Sequence, residues 1–118
     1  MGTFSVGIEI GDLHGLRFEP IDALVDTGAT YARMPRTLLQ RLGVPPLERV
    51  EFILGDDRRA EFDVGQTQMR IAGRTRYGMV IFGEDHWQPL LGAITLQEFG
   101  LGVDPFHERL IPVVGLLM

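Results

Sequence analysis

The sequence contains no cysteine. It therefore offers no disulfide, no thiolate nucleophile and no sulfur ligand for zinc. Ser5 is the only serine, and no histidine is paired with it, which argues against a serine nucleophile. His14, His86 and His107 are scattered without metal-ligand spacing, so loop or surface positions suit them better than ligation. We expect a protein that uses neither a metal nor a cofactor.

Positive charge and long apolar runs are also scarce. The formal net charge is −5 at pH 7, and Arg33, Arg36 and Arg41 are too few to form a nucleic-acid stripe. No apolar run approaches the ~20 residues of a membrane-spanning helix. The N-terminus lacks the basic and apolar segments of a signal peptide. We expect a cytoplasmic chain that binds neither nucleic acid nor membrane, although trimming from a longer parent chain would leave the same pattern.

The length and composition fit one folded domain. A chain of 118 residues is long enough for a hydrophobic core but too short for two catalytic lobes. Hydrophobic residues make up 45% of it, and the even scatter of charge argues against disorder. No low-complexity segment or linker divides it, so residues 1–118 are predicted to form a single domain.

The hydrophobic pattern is mainly that of short β-strands. Apolar residues alternate with polar ones over residues 3–10, and similar patterns bounded by turn signals recur along the chain. A second strand is predicted to be interrupted near Pro20. The later predicted strands form two separate hairpins, 50–64 with a charged tip and 67–82, and a C-terminal pair. Short helices are predicted between Pro35 and Gly43 and over 93–99. About eight or nine strands with one or two short helices indicate an all-β closed barrel or sandwich.

One turn stands out because its carboxylate follows an apolar strand. Asp26-Thr27-Gly28 comes directly after the apolar Ala23 to Val25. A carboxylate in such a place is poorly solvated, and desolvation can adapt it to acid–base chemistry. Asp and Gly are also ordinary turn formers, and the tripeptide occurs by chance in roughly a few per cent of chains this long. The motif therefore needs support from the rest of the chain.

Three features in order resemble the single-domain aspartic proteases of the retropepsin type, particularly their bacterial and DNA-damage-inducible relatives. The first is the segment 24–29 around Asp26. The second is the hairpin 50–64, which lies where this family has its flap. The third is Leu90-Leu91-Gly92 before a short helix. The similarity covers about residues 4–112. It implies the retropepsin type of small closed β-barrel or sandwich, assembled as a two-fold homodimer.

The resemblance also implies an activity. In this family two carboxylates share one proton and hydrolyse a peptide bond with water as the nucleophile. The sequence holds a single Asp-Thr-Gly motif, so a two-fold homodimer would have to supply the second carboxylate. Asp26 would then be the catalytic residue of an aspartic-type endopeptidase that acts on polypeptides. The alternative is a catalytically silent dimerisation or peptide-binding module of the same fold.

By the same resemblance, the residues that follow Asp26 complete the active-site loop. Thr27 would hydrogen-bond across the dimer axis, and the backbone of Gly28 would approach the carboxylates and the peptide. Ala29 would keep the wall beside the site small. Leu91 and Gly92 would support this loop from below.

Substrate contacts are expected from the flap and from apolar side chains. The hairpin 50–64 would fold over an extended peptide and exclude water, unless it is an ordinary surface hairpin. The expected flap contacts are Ile53, Leu54 and Gly55. The expected pocket residues are Leu24, Ile81, Leu90 and Ile94. Apolar pockets of this kind would favour apolar side chains beside the scissile bond.

Two departures from the retroviral pattern concern the flap tip and the dimer. The tip carries charged residues 56–59 in place of a Gly-rich turn, and a charged tip should be less free to adopt unusual backbone angles. Thr30 and Ala93 occupy the places of a retroviral Asp–Arg ion pair, so the dimer must be stabilised differently. The apolar run 110–118 is the expected substitute, as an interface segment or an intersubunit strand.

Two further features have more than one interpretation. Asp56, Asp57 and Glu61 could suggest calcium, but no EF-hand pattern surrounds them, and a solvated hairpin tip fits better. Trp87 lies in a predicted loop. It could be a dimer or lid contact, or simply an anchor in the core.

Overall fold

The computed structural model describes residues 3–115 and residue 117. Within this part of the chain there are nine strands and two short helices. The strands are β1 (Phe4–Gly11), β2 (Phe18–Val25), β3 (Ala32–Pro35), β4 (Pro46–Ile53), β5 (Arg59–Ile71), β6 (Arg74–Gly83), β7 (Leu90–Leu91), β8 (Leu101–Asp104) and β9 (Arg109–Pro112); the helices are α1 (Arg36–Arg41) and α2 (Ala93–Glu98). The prediction of an all-β fold with two short helices is confirmed.

The main sheet closes into a barrel. Its strand order is β1-β2-β7-β3-β6-β5-β4, and β1 pairs a second time with β5. The closing register joins Glu9 to Arg70 and Ile10 to Met69. Six strands therefore form a ring, and β4 lies outside it against β5. Closure leaves few free strand edges, and the predicted closed barrel is confirmed.

The core lies inside this ring because apolar residues alternate along its strands. Ile8 and Ile10 of β1 face inward together with residues of β2, β3, β5 and β6, and the two helices cover the barrel with Leu38, Leu39 and Leu96. The largest fully buried side chains are Phe82 and Phe99. The core includes Ala23, Val25 and Leu91, so it holds the end of β2, which leads into the loop at Asp26, and β7, which lies beside it.

Two predicted interruptions are wrong. Residues 60–71 lie within the single strand β5, which the two predicted hairpins share without a break between them. Gly65 lies inside it because the carbonyl oxygen of Pro45 approaches the backbone, and a Cβ at this position would lie 2.7 Å from that oxygen. Pro20 likewise does not break β2, where it pairs with Glu9. The other side of β2 is unpaired at that point, so the missing N–H is tolerated.

The C-terminal strands form a separate two-stranded sheet, in which Leu101 pairs with Pro112 and Asp104 with Arg109. Strand β9 ends at Pro112. Of the apolar run predicted to lie in a subunit interface, Leu116 and Met118 are outside the described residues. Val114 is 99% exposed, so the run leaves apolar surface uncovered within this one chain. In the part that the structure describes, no helix is long and apolar enough to cross a membrane.

Candidate active site

The loop at Asp26 is held by its own backbone. Asp26 follows the last residue of β2, and its side chain is half-buried. Its carbonyl oxygen accepts a hydrogen bond from the Ala29 N–H at 3.1 Å. One carboxylate oxygen, Oδ1, accepts from the Gly28 N–H at 3.0 Å. The tight turn therefore orients the carboxylate and leaves its second oxygen for other partners.

Strand β7 supports this loop from below. It runs parallel to β2, with Leu24 beside Leu90 and Val25 beside Leu91. The N–H of Asp26 donates to the carbonyl oxygen of Leu91 at 3.0 Å, and the Leu91 side chain is fully buried. The start of the Asp26 loop is thus a continuation of the β2–β7 ladder.

The first turn of α2 fixes the other end of the loop. The N–H groups of Ala93 and Ile94 donate to the carbonyl oxygens of Ala29 and Thr30 at 2.8 and 2.9 Å, which satisfies donors that a helix start leaves without a partner. Gly92 lies so close to the loop that a Cβ would be 2.6 Å from the carbonyl carbon and oxygen of Thr30. Backbone hydrogen bonds therefore join the segment 29–30 to the start of α2.

An open cleft lies between this loop and the β4–β5 hairpin, with a volume of about 240 Å³. Its lining includes many residues expected from the sequence: Gly28, Ala29, Ile53, Leu54, Gly55, Ile81 and Leu90. Asp26 and Thr27 line a neighbouring depression of about 310 Å³, and Gly28 lies in both. The hairpin thus covers the cleft from the side opposite the Asp26 loop.

Leu24 and Ile94 are not brought into the cleft. Leu24 alternates with Ala23 and Val25, both of which are buried in the core, so its side chain points to the opposite face of β2. Ile94 is 36% exposed, whereas its neighbours Thr95 and Leu96 form the buried side of α2. The apolar character of Leu24 and Ile94 therefore does not predict which way their side chains point.

Several cleft residues were missed by sequence reasoning. Tyr31, Arg33, Phe52 and Phe62 line it, as does Trp87, for which a lid contact was one of the interpretations. The rings are in contact along the cleft, with centroids 6.3 Å apart for Tyr31 and Phe52 and 5.3 Å apart for Phe62 and Trp87. The two-residue period of a strand could have identified Tyr31 and Arg33 as cleft residues. They share one face of the segment, and its other face, Ala32 and Met34, is buried.

Arg33 has an unusual environment. Its Nη2 donates to the carbonyl oxygen of Gln88 at 2.7 Å, and its guanidinium carbon lies 4.9 Å from the centre of the Trp87 ring. Among the described residues, its Nε is buried without a hydrogen-bond acceptor. Burial lowers the pKa of Arg33, and the negative charge of Asp26 opposes that shift. A positive charge therefore lies at the cleft wall, partly removed from water.

The tip of the β4–β5 hairpin is a tight turn. The N–H of Leu54 donates to the Arg58 carbonyl oxygen at 2.7 Å, and Arg58 Nε donates to Asp56 Oδ2 at 2.6 Å. Asp57 has a φ of +66°. The expectation that a charged tip resists unusual backbone angles is thus wrong, because the short polar side chain of Asp tolerates the left-handed region.

Two of the three histidines lie beside other side chains. His86 lies 6.2 Å from Trp87, ring centre to ring centre, and His107 Nδ1 lies 2.7 Å from Asp104 Oδ2. Within residues 3–115 and residue 117, no group of three or more His, Cys, Asp or Glu side chains is arranged to hold a metal ion.

Comparison with known proteins gives one kind of match. No protein-family model matches the chain, and no curated protein matches it. Among solved structures, 111 chains match. One is the solution structure of the simian foamy virus (mac) protease, with a TM-score of 0.58 and 19% sequence identity, covering 80% of this chain and 92% of that chain. The chain therefore has a retropepsin-like fold.

Proposed function

We propose that the protein is an aspartic-type endopeptidase that works as a homodimer. The observation that carries this proposal is the placement of Asp26 in a retropepsin-like fold: its N–H is held by Leu91, its Oδ1 is held by Gly28, and it lies next to an apolar cleft. A chain with one such carboxylate supplies half of a dyad, and two-fold symmetry supplies the other half from the same surface. We further propose that it is functionally related to the bacterial and DNA-damage-inducible aspartic proteases of the retropepsin type.

In the proposed mechanism, the two Asp26 carboxylates of a dimer share one proton, because like charges ~3 Å apart cannot both ionise. The ionised carboxylate takes a proton from water, which attacks the carbonyl carbon of the peptide bond. The protonated carboxylate gives its proton to the carbonyl oxygen, which yields a gem-diol. The first carboxylate then passes the proton it took from water to the amide nitrogen as the C–N bond breaks, and the second carboxylate takes a proton from a diol hydroxyl, which restores the dyad with its single proton. In each protomer the Gly28 N–H donates a hydrogen bond to Oδ1 of Asp26. The other carboxylate oxygen, Oδ2, has no hydrogen bond within the Asp26 loop, so it can take part in this proton exchange.

The β4–β5 hairpin would hold the substrate. An extended peptide in the cleft would lie between the hairpin and the Asp26 loop and hydrogen-bond to exposed backbone groups. Ile53 is 63% exposed, so its side chain is accessible to a peptide in the cleft. With Ile81 and Leu90 it would form an apolar wall beside the scissile bond. Thr27 would link the two active loops across the axis.

The second candidate is a silent dimerisation or peptide-binding module of the same fold, with the Asp56–Arg58 tip as a recognition surface. The two candidates differ in what Asp26 does. An enzyme loses turnover when this carboxylate becomes an amide, whereas a binding module needs no pair of facing carboxylates.

The test is Asp26→Asn, measured as cleavage of a mixed peptide library by mass spectrometry. We expect cleavage to fall by about 10³-fold or more, since a shared proton cannot be held by two amides. The matched control is Asp22→Asn, at an exposed position of the same strand, which should cleave like wild type. Equal cleavage by wild type and Asp26→Asn would refute the enzyme, and no cleavage by wild type under any condition would favour the binding module.

A further inference from the structure

Arg33 carries the only charge among the described residues that line the cleft. The rest of the lining is apolar, aromatic or uncharged. Arg33 is held in place on two sides, by the carbonyl oxygen of Gln88 at Nη2 and by the face of Trp87. Gly83 lies beneath it, since a Cβ there would be 2.8 Å from Arg33 Cγ. The side chain is therefore positioned before any ligand arrives.

This position leaves the guanidinium short of acceptors. An arginine presents five N–H donors in a planar fork, and within the described part of the chain one carbonyl oxygen accepts from it. A neutral carbonyl does not balance a positive charge that is partly removed from water. Burial lowers the pKa of Arg33, and the negative charge of Asp26 opposes that shift without accepting a hydrogen bond from the guanidinium among the described residues. The missing partner of such a group is a carboxylate, whose two oxygens match the fork.

We propose that the cleft selects peptides with an acidic side chain, whose carboxylate pairs with Arg33 while its methylene groups lie against Trp87. This inference rests on the proposed function and names the substrate class of the same site. Because Ile53, Ile81 and Leu90 line the remaining wall, the acidic residue would lie close to apolar residues of the substrate. Arg33 is then a specificity-determining residue.

The preference should come from contact and not from long-range attraction. The formal net charge of the chain is −5, so its overall field repels acidic peptides. A pairing inside the cleft is less screened than one between exposed charges. Raising the salt concentration should therefore leave the preference for Glu over Gln largely intact, in contrast to a surface effect.

The experiment compares two peptides that are identical except for Glu or Gln at the acidic position, chosen from sequences that the wild-type protein cleaves in the library. We expect kcat/KM to favour the Glu peptide by about tenfold. Arg33→Met should bring that ratio close to one, and Arg33→Lys should retain part of it. Arg70→Met is the matched control, because Arg70 also packs on an aromatic ring, that of Phe18, but does not line the cleft; it should keep the wild-type ratio.

Two results would overturn the inference: a ratio of one in the wild type, or a ratio that survives in Arg33→Met. Failure of the proposed function would give a different result: the wild-type protein would show no cleavage that Asp26→Asn abolishes. In that case fluorescence anisotropy with a labelled apolar hexapeptide carrying one central Glu or Gln gives the answer. Tighter binding of the Glu peptide that is lost in Arg33→Met supports the acidic subsite, and equal binding of the two peptides refutes it.

Discussion

Asp26 and Leu91 are joined by a backbone hydrogen bond, in which the N–H of Asp26 donates to the Leu91 carbonyl oxygen across 3.0 Å. The two residues are far apart in sequence, and the parallel pairing of β2 with β7 brings them together. The position of the Asp26 carboxylate therefore depends on β7 and α2 as much as on its own loop. Substitutions at Leu91 or Gly92, which do not line the cleft, should therefore change the site indirectly.

Gly92→Ala should be strongly destabilising. A Cβ there would lie 2.6 Å from the carbonyl carbon and oxygen of Thr30 and 2.8 Å from the oxygen of Ala29, and backbone cannot move aside as a flexible side chain can. We expect a loss of about 1–3 kcal/mol in the free energy of unfolding, measured by urea denaturation. Gly7→Ala is the control, because its Cβ would meet only Asp22 Oδ1 at 3.7 Å. Equal stability of the two variants would show that the loop is less tightly packed than described.

The C-terminal run can be tested for its expected role in dimerisation. Deleting residues 113–118 leaves the β8–β9 ladder intact, since β9 ends at Pro112, but removes the hydrogen bond from the Val113 N–H to Gly100. We expect dimer dissociation at concentrations about tenfold higher than for wild type, with activity that falls in parallel on dilution. Light scattering over a dilution series measures this.

A point substitution separates the interface from the fold. Val114→Asp places a charge on a residue that is 99% exposed in the single chain, and Leu16→Asp does the same at a residue that is 85% exposed elsewhere. If the run lies in the interface, the first variant weakens the dimer and the second does not. A dimer unchanged by both Val114→Asp and the deletion would rule out the run as the interface.

The hairpin tip gives a prediction about backbone strain. Asp57 has a φ of +66°, a region that a β-branched residue strongly disfavours. Asp57→Val should cost about 1–2 kcal/mol locally, whereas Asp57→Gly should be neutral or slightly stabilising. Hydrogen exchange of the Leu54 N–H, which bonds to Arg58 across the turn, should become faster in the valine variant alone. Similar exchange rates in the two variants would contradict the assigned conformation.

Glu98 gives a pH-dependent prediction. Burial raises the pKa of Glu98, and the N–H of Met79 only partly offsets that effect; among the described residues its Oε1 is buried without a hydrogen-bond partner. A carboxyl with a raised pKa in the folded state binds its proton more tightly there than in the unfolded state. Its contribution to stability is therefore complete below the ordinary value of 4.5 and is lost as the pH rises through the higher folded value.

Glu98→Gln should remove the loss of stability that ionisation of Glu98 causes at higher pH. We expect its melting temperature to exceed that of wild type at pH 7, and the difference to shrink as the pH falls through the raised folded pKa and to level off below 4.5, in thermal melts over a pH series. Glu48→Gln, at an exposed position of β4, controls for the loss of one negative charge. A Glu98→Gln advantage that did not change with pH would point to packing instead of ionisation.

The sequence predicted those helices and strands whose signals lie within a short stretch of residues. Pro35 and Gly43 bracket α1 as expected, since Gly43 has a φ of +72°, and alternation identified β1 and the hairpin at 54–58. Joining β5 into one strand could not be predicted, because Gly65 resembles a break unless the approach of Pro45 is known. Likewise, Arg33 and Trp87 meet only through folding, since β3 and the loop before β7 are distant in sequence.

The hairpin over the cleft shares its return strand with the wall of the barrel. Strand β5 runs unbroken from Arg59 to Ile71, and at Gly65 it is pressed against the carbonyl oxygen of Pro45. On the β5 side, therefore, no loop separates the hairpin from the barrel. If the hairpin moves to admit a peptide, we expect the movement to be a bending of the ribbon outside Gly65, so substitutions that change the pairing of its outer part should alter peptide entry more than substitutions in a loop.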